Sequence, residues 1–146
     1  IRPFSGYGED QDYSYPTPAI ARRAVFKEAP FEVWGSGHQG RDFVHIDDVL
    51  DCIEVAMDKI HDGRAINIGQ GVLTSFRELI ALFCDFANYS PEIKPLLDKP
   101  VGVHSRYCDM TWVKENLGWE PKISIKEGMR RVYDAVIVRE KHSGNL

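Results

Sequence analysis

The residue types able to do chemistry are densest in VWGSGHQGRDFVHIDD, residues 33–48. Gly35, Gly37 and Gly40 spell G-x-G-x-x-G, the pattern with which a backbone cradles a pyrophosphate at a helix N-terminus. That chemistry needs a helix directly after the third glycine, where free amides and the helix dipole hold the anion. Here Gly40 is followed by Arg-Asp-Phe-Val-His-Ile, which alternates like a strand, and the helical pattern begins only at Asp47. The segment therefore reads as a glycine-rich turn that delivers Arg41 from a sheet edge. Two roles stay open for this arginine. Its planar fork suits a phosphate, and Gly40 beside it lets an anion approach the backbone. Equally, it can pair with Asp42 or Asp48 and tie the loop to the helix that follows.

Other chemistry is thin. The five histidines form no H-x-x-x-H and no cluster with Cys52, Cys84 or Cys108, so no metal site is expected. No nucleophile–base pair or carboxylate pair has the spacing that a complete small enzyme would need. Asp42 reads as a hydrogen-bond acceptor for backbone in its own loop, and Asp47 and Asp48 read as helix caps. His38, His45 and His104 read as surface or strand residues. Trp34, Trp112 and Trp119 read as packing, with Trp34 placed to stack on a base if one binds.

The elements that must position these residues follow from periodicity and punctuation. Thr17 is expected to cap a helix with Pro18 at its first position, and Pro30 to end that stretch. FEVW is strand-like, with Phe31 and Val33 on one face. Asp47 is expected to cap DVLDCIEVAMDKI, whose inward stripe would be Val49, Ile53, Ala56, Met57 and Ile60. Asp62-Gly63 turns the chain into AINIG, a short buried strand. Ser75 and Glu78 form a capping box before the stripe Leu79, Leu82, Phe83, Phe86. A loop carrying Pro91, Pro95 and Pro100 leads to a short helix, DMTWVKENL, closed by Gly118. Ser124 and Glu127 form a second box before a last helix with Met129, Val132, Tyr133 and Val136 inward. The fold class is a small mixed α/β domain with short strands and four to five helices, and residues 1–146 read as one domain.

Composition narrows the partners. The chain has 146 residues, 43% hydrophobic and 27% charged, with a net charge of −4 that gives no reason to expect nucleic acid or an anionic membrane. No apolar run approaches the ~18 residues of a membrane span, and no signal-peptide pattern is visible. Three cysteines without a C-x-x-C imply reduced thiols and a cytoplasmic protein, with at least two of them in core positions. EDQDYSY, residues 9–15, reads as a solvated loop. The opening IRPFSGYG starts as though within a strand, which reads as the mark of a truncated unit.

VWGSGHQGRDFVHIDDV resembles the G-x-G-x-Q-x-R-D-F-[VI]-x-[VI]-D-D segment of the extended short-chain dehydrogenase/reductase family, the NAD(P)-dependent nucleotide-sugar epimerases (isomerases) and dehydratases (lyases) of carbohydrate metabolism. Collinear segments agree: IRPFSGYGE resembles R-x-x-N-x-Y-G-P, AINIGQG resembles Y-N-[IV]-G-x-G, and SRYCDMTWVKENLGWEPKISIKEGM resembles the family's C-terminal tail. The tail reads closest to the GDP-mannose epimerase and dehydratase types. The resemblance implies the C-terminal, substrate-binding part, without the Rossmann half that carries NAD(P) and its own glycine loop. It also implies a Y-x-x-x-K acid/base pair, which is missing: Tyr7, Tyr13, Tyr15, Tyr89, Tyr107 and Tyr133 each lack a lysine four residues on.

Residue by residue, the resemblance makes Arg41 a contact of the substrate diphosphate and makes Arg106 and Asp109 an R-x-x-D pair reaching phosphate and ribose. Asn67 borders the nucleotide pocket or pins its strand end, and Val33 flanks the base, where strand backbone can read a nucleobase edge. Ser5 stands where the family has Asn and Glu9 where it has Pro. No cofactor is expected in this chain; NAD(P) would belong to the other half. The expected ligand is a GDP-, UDP- or dTDP-linked sugar, bound without catalysis by a chain inactive alone. In the complete enzyme a hydride would leave the sugar, the resulting ketone would react, and the hydride would return. The alternative is a free-standing interaction module that forms a homo-oligomer, such as a dimer, or docks on a Rossmann-domain partner through the surface left apolar by the missing half.

Overall fold

The computed structural model describes residues Ile1–Leu146 throughout. In chain order the elements are β1 (Arg2–Pro3), β2 (Ser5–Tyr7), α1 (Pro16–Val25), β3 (Phe31–Trp34), β4 (Gly40–Arg41), β5 (Phe43–His45), α2 (Ile46–Lys59), β6 (Asn67–Ile68), β7 (Thr74–Ser75), α3 (Phe76–Phe86), β8 (Ile93–Leu96), β9 (Ser105–Arg106), α4 (Thr111–Leu117) and α5 (Ile125–His142). Five helices and short strands make the mixed α/β class that periodicity indicates.

The strands pair across long stretches of sequence. β1 runs parallel to β6, and β2 parallel to β5, so the opening run changes partner at Phe4. The Phe4 N–H donates to Ile68 O and the Ser5 N–H to Asp42 O, which carries the ladder across the change. β3 pairs parallel with β8, and β4 lies between antiparallel β7 and parallel β9. β8 replaces part of the expected proline loop. Pro95 fits there because a strand with one neighbour does not need every N–H.

Two apolar clusters hold these elements. Helices α1, α3 and α5 close over one, centred on Phe31, Leu79, Phe83, Met129 and Val136, all fully buried. The other gathers Val44, Cys52, Ile68, Val113 and Trp119 between α2, α4 and β6. Cys52, Cys84 and Cys108 are all free and buried, and burial pushes the Cys52 and Cys108 thiols up to about 11.

Several local expectations need correction. α1 begins at Pro16, not after Thr17: Tyr15 occupies the cap position, and the Thr17 hydroxyl donates to Gln11 Oε1 instead. Pro16, with its preset φ, starts the helix earlier. Asp47 and Asp48 are not caps. The cap of α2 is His45, whose Nδ1 accepts from the Asp47 N–H at 3.1 Å. Asp48 instead accepts from the backbone N–H groups of Lys122 and Ile123, fastening α2 to the entry of α5. The inward face of α2 is Val49, Cys52 and Ala56; Ile53 and Met57 of the expected stripe face outward. Ser75 and Glu78 make the full capping box, whereas Glu127 of the second box turns to Arg131 at 2.6 Å and leaves Ser124 to cap alone. Gly118 closes α4 at φ 64°, a conformation that suits glycine. Trp34 is not packing, being 57% exposed, while Trp119 is buried with its indole N–H on Asp51 at 2.7 Å. Tyr13 of the expected solvated loop packs against the α1–α3–α5 cluster, with Arg22 and Arg139 over its ring.

Candidate functional site

β4 is only two residues long, yet it is the centre of a three-stranded sheet and sets Arg41 directly beside Arg106 on β9. Side chains at paired positions of neighbouring strands project to the same face. Like charges held this close are a cost unless an anion sits between them. Arg41 Nη1 donates to Gly40 O and Val103 O, each at 2.7 Å, which fixes the guanidinium and leaves the rest of its fork without a protein acceptor. Neither arginine forms a salt bridge. Burial, and then the charge of Arg106, hold the Arg41 pKa below its usual value, which an arriving anion would reverse.

The carboxylates that could have neutralised Arg41 are committed elsewhere. Asp42 is fully buried and accepts three backbone N–H bonds, from Gln70 at 2.6 Å, Gly71 at 2.9 Å and Cys108 at 3.0 Å. Asp48 holds the α5 entry, as described. Of the two roles left open for Arg41, the ion pair with Asp42 or Asp48 is therefore absent from the structure.

Arg41 stands where two clefts meet. One, of about 370 Å³, is floored by Ile20, Val33 and Ile80, with Trp34 and Val101 at its rim and Gln39 in its wall. The other, of about 340 Å³, is lined by Phe4, Ser5, Gln11 and Phe43 and includes Arg106. Tyr15, Pro16 and Phe76 line both clefts, as Arg41 does. An apolar slot, a cationic neck and a more polar chamber in sequence can take a flat ring, a diphosphate and a hydroxyl-rich group in that order.

Three expected site residues thus come together: Val33, Arg41 and Arg106. Asn67 and Asp109 do not join them. They line a separate depression with Arg64 and Trp112 that shares no residue with the two clefts. The reason is local. Cys108 N is bound to Asp42, which turns the chain after Arg106, and Asp109 Oδ1 accepts from Thr111 N at 2.9 Å at the start of α4. Those bonds to Thr111 hold the Asp109 carboxyl below its usual pKa. Asn67 is exposed and contributes its backbone to the pairing with Arg2. Trp34, read as packing with base stacking left open, lies at the rim of the slot, and Gln39, the Q of the G-x-G-x-Q-x-R-D-F segment, lines it although no role was assigned to it from the sequence.

Residues 1–69 match the NAD dependent epimerase/dehydratase family. GDP-L-fucose synthase 1 of Arabidopsis thaliana is 30% identical over 142 residues, covering 90% of this chain and 43% of the relative. The chain is similar to this family along most of its length. GDP-mannose 3,5-epimerase 1 of Oryza sativa subsp. indica is 32% identical over 129 residues, covering 86% of this chain and 34% of the relative. Among solved structures, UDP-glucose 4-epimerase from Thermotoga maritima, determined with UDP-glucose, superposes with a TM-score of 0.81 at 31% identity, over 97% of this chain and 45% of that one. The chain spans less than half the length of these relatives.

The chain's glycine run does not fit the family's dinucleotide. The G-x-G-x-x-G run leads into β4 and β5, so the amides after Gly40 pair with strands rather than open a helix toward a pyrophosphate. α2 begins at Ile46 with His45 already in its cap. No helix of the chain is long and apolar enough to cross a membrane.

Proposed function

We propose that this chain is the nucleotide-sugar-binding portion of an NAD(P)-dependent epimerase/dehydratase, without activity of its own. The observation that carries the reading is the unneutralised pair Arg41 and Arg106 at the junction of two clefts. In this reading the diphosphate takes the free N–H groups of both guanidiniums. The base lies in the apolar slot against Val33, and the sugar enters the chamber beside Ser5 and Gln11. The chain's residues then do one thing: they spend binding energy remote from the reacting carbons to fix the sugar's orientation. Hydride chemistry belongs to a dinucleotide-binding unit, and no step of it runs through residues of this chain. That UDP-glucose is bound in the Thermotoga maritima structure supports the ligand class. The three free buried thiols support a reducing, cytoplasmic setting.

A specific observation also favours docking. The outer face of α2 presents Ile46, Leu50, Ile53 and Met57, at 43%, 52%, 36% and 71% exposure, and exposed Ile1, just before β1, lines a depression with Ile53 and Met57. We place the contact with a Rossmann-type partner, or with a second copy, on this face.

The test is calorimetric titration of the folded, monodisperse chain with GDP-, UDP- and dTDP-sugars. Binding of at least one class is expected, weakened about tenfold or more in both Arg41→Ala and Arg106→Ala, since charge-assisted bonds are worth about 1.5–3 kcal/mol each. No heat from any of the three ligands would sink ligand binding and leave the docking module as the reading.

A further inference from the structure

Gln39 is a buried polar residue, only 4% exposed, in the wall of the apolar slot. One end of its side chain amide is 2.7 Å from Trp34 O. A carbonyl can only accept, so the group facing Trp34 must be the NH2, and the orientation of the amide is fixed by chemistry. Its Oε1 is then an acceptor with no hydrogen-bond partner in the protein, and it is not among the fully enclosed unpaired atoms. Because it is not enclosed, it opens to water along the slot, and a ligand that displaces that water must donate in its place or leave the acceptor unpaired. Trp34, whose carbonyl holds the amide, offers an exposed indole at the same rim.

We infer that Gln39 Oε1 reads the nucleobase by accepting a ring N–H, so that the slot selects lactam-type bases (uracil, thymine, guanine) over cytosine and adenine, whose corresponding ring nitrogen is itself an acceptor. The inference rests on the nucleotide-sugar reading above and adds the base class and the residue that selects it. Cytosine in the same place would set two acceptors against each other. A site built to receive a donor rejects the analogue lacking one more strongly than an apolar slot rejects a change of size.

The test measures affinities of the full chain for UDP, GDP, CDP and ADP, and for 3-methyl-UDP and 1-methyl-GDP, in which the ring N–H is replaced. At least one of UDP and GDP should bind about tenfold more tightly than both CDP and ADP, and its methylated form should lose the same factor. Gln39→Met should bring the preferred nucleotide down to the level of CDP and ADP and abolish the methylation penalty. Arg41→Ala should weaken all ligands by a common factor. Equal affinity for all four nucleotides overturns the inference while leaving the diphosphate site standing. A methylation penalty that persists in a folded Gln39→Met variant also overturns it, because the effect is then steric. Should that variant not fold, the comparison of UDP with CDP on the unaltered chain decides alone, the two rings being of one size. Absence of binding by every nucleotide overturns the inference and the nucleotide-sugar reading together.

Discussion

Asp42 shows how one side chain can stabilise a site without touching its ligand. Its two oxygens gather backbone N–H groups from the β6–β7 connection and from the chain leaving β9, and so hold Arg106 in register beside Arg41. Replacing it with Ala strands one buried and two half-buried donors, and a loss of about 2–4 kcal/mol in urea unfolding is expected, with nucleotide affinity falling as well. Glu140 is the second such residue. Arg22 grips it from α1 at 2.7 Å and Asn145 at 2.7 Å, and the bond from Arg22 foremost lowers its pKa from 4.5 to about 2. Because the folded value is the lower one, the contribution is complete above about pH 4.5 and is lost as pH falls toward 2. Glu140→Gln should therefore be less stable than the unaltered chain at pH 7, with the gap closing on acidification through that window. A gap that stays constant with pH would show that the Arg22 contact does not depend on charge.

At the scale of elements, α5 offers a test in which propensity and packing disagree. Gly128 lies in its first turn, and a Cβ there would strike the Tyr7 hydroxyl. Helix propensity alone makes Gly→Ala favourable by about 1 kcal/mol. Overpacking makes it unfavourable by about 1–3 kcal/mol. Because Tyr7 is 2% exposed and cannot swing away, Gly128→Ala is expected to lower the melting temperature; a rise would mean that β2 yields. The helices were legible because their evidence is local: Ser75 three residues before Glu78, Gly118 after Leu117, apolar stripes at helical spacing. Thr17 and Asp47 misled for the same reason, since good capping residues stood one or two positions from ends that Pro16 and His45 determine. Of the two-residue strands, β6 was legible in AINIG and Arg41 fell within the alternating RDFVHI, but nothing in Ser105-Arg106 marks a strand until Gly40-Arg41 is beside it. Arg41 was singled out by the glycine-rich turn before it, whereas Arg106 was named from the family motif alone. Their pairing, and the exclusion of Asp109, depend on Asp42 bonds between residues far apart in sequence.

For the molecule as a whole, the exposed stripe on α2 is the feature least compatible with an isolated life in water. Leu50→Glu breaks its middle without entering either cluster, and surface changes of that kind usually cost within about 0.5 kcal/mol. Sedimentation or light scattering should show self-association, or capture of a Rossmann-type partner, in the unaltered chain and its loss in Leu50→Glu. An unaltered chain that stays monomeric and captures no such partner at high concentration would remove docking from this face. The partner-switching course of β1 and β2 has a different consequence, in time rather than affinity. Arg2 must find Asn67, Ser5 must find Phe43, Phe31 must find Ile93 and Arg41 must find Arg106, so every parallel pairing closes a long loop before it returns any stability. Chains dominated by such contacts fold in milliseconds to seconds rather than microseconds. The helices can flicker into place early, but the two guanidiniums meet only when β9 docks against β4. The proposed anion site is thus a late product of folding, and a nucleotide binding there as proposed would favour the finished chain over its half-assembled precursors.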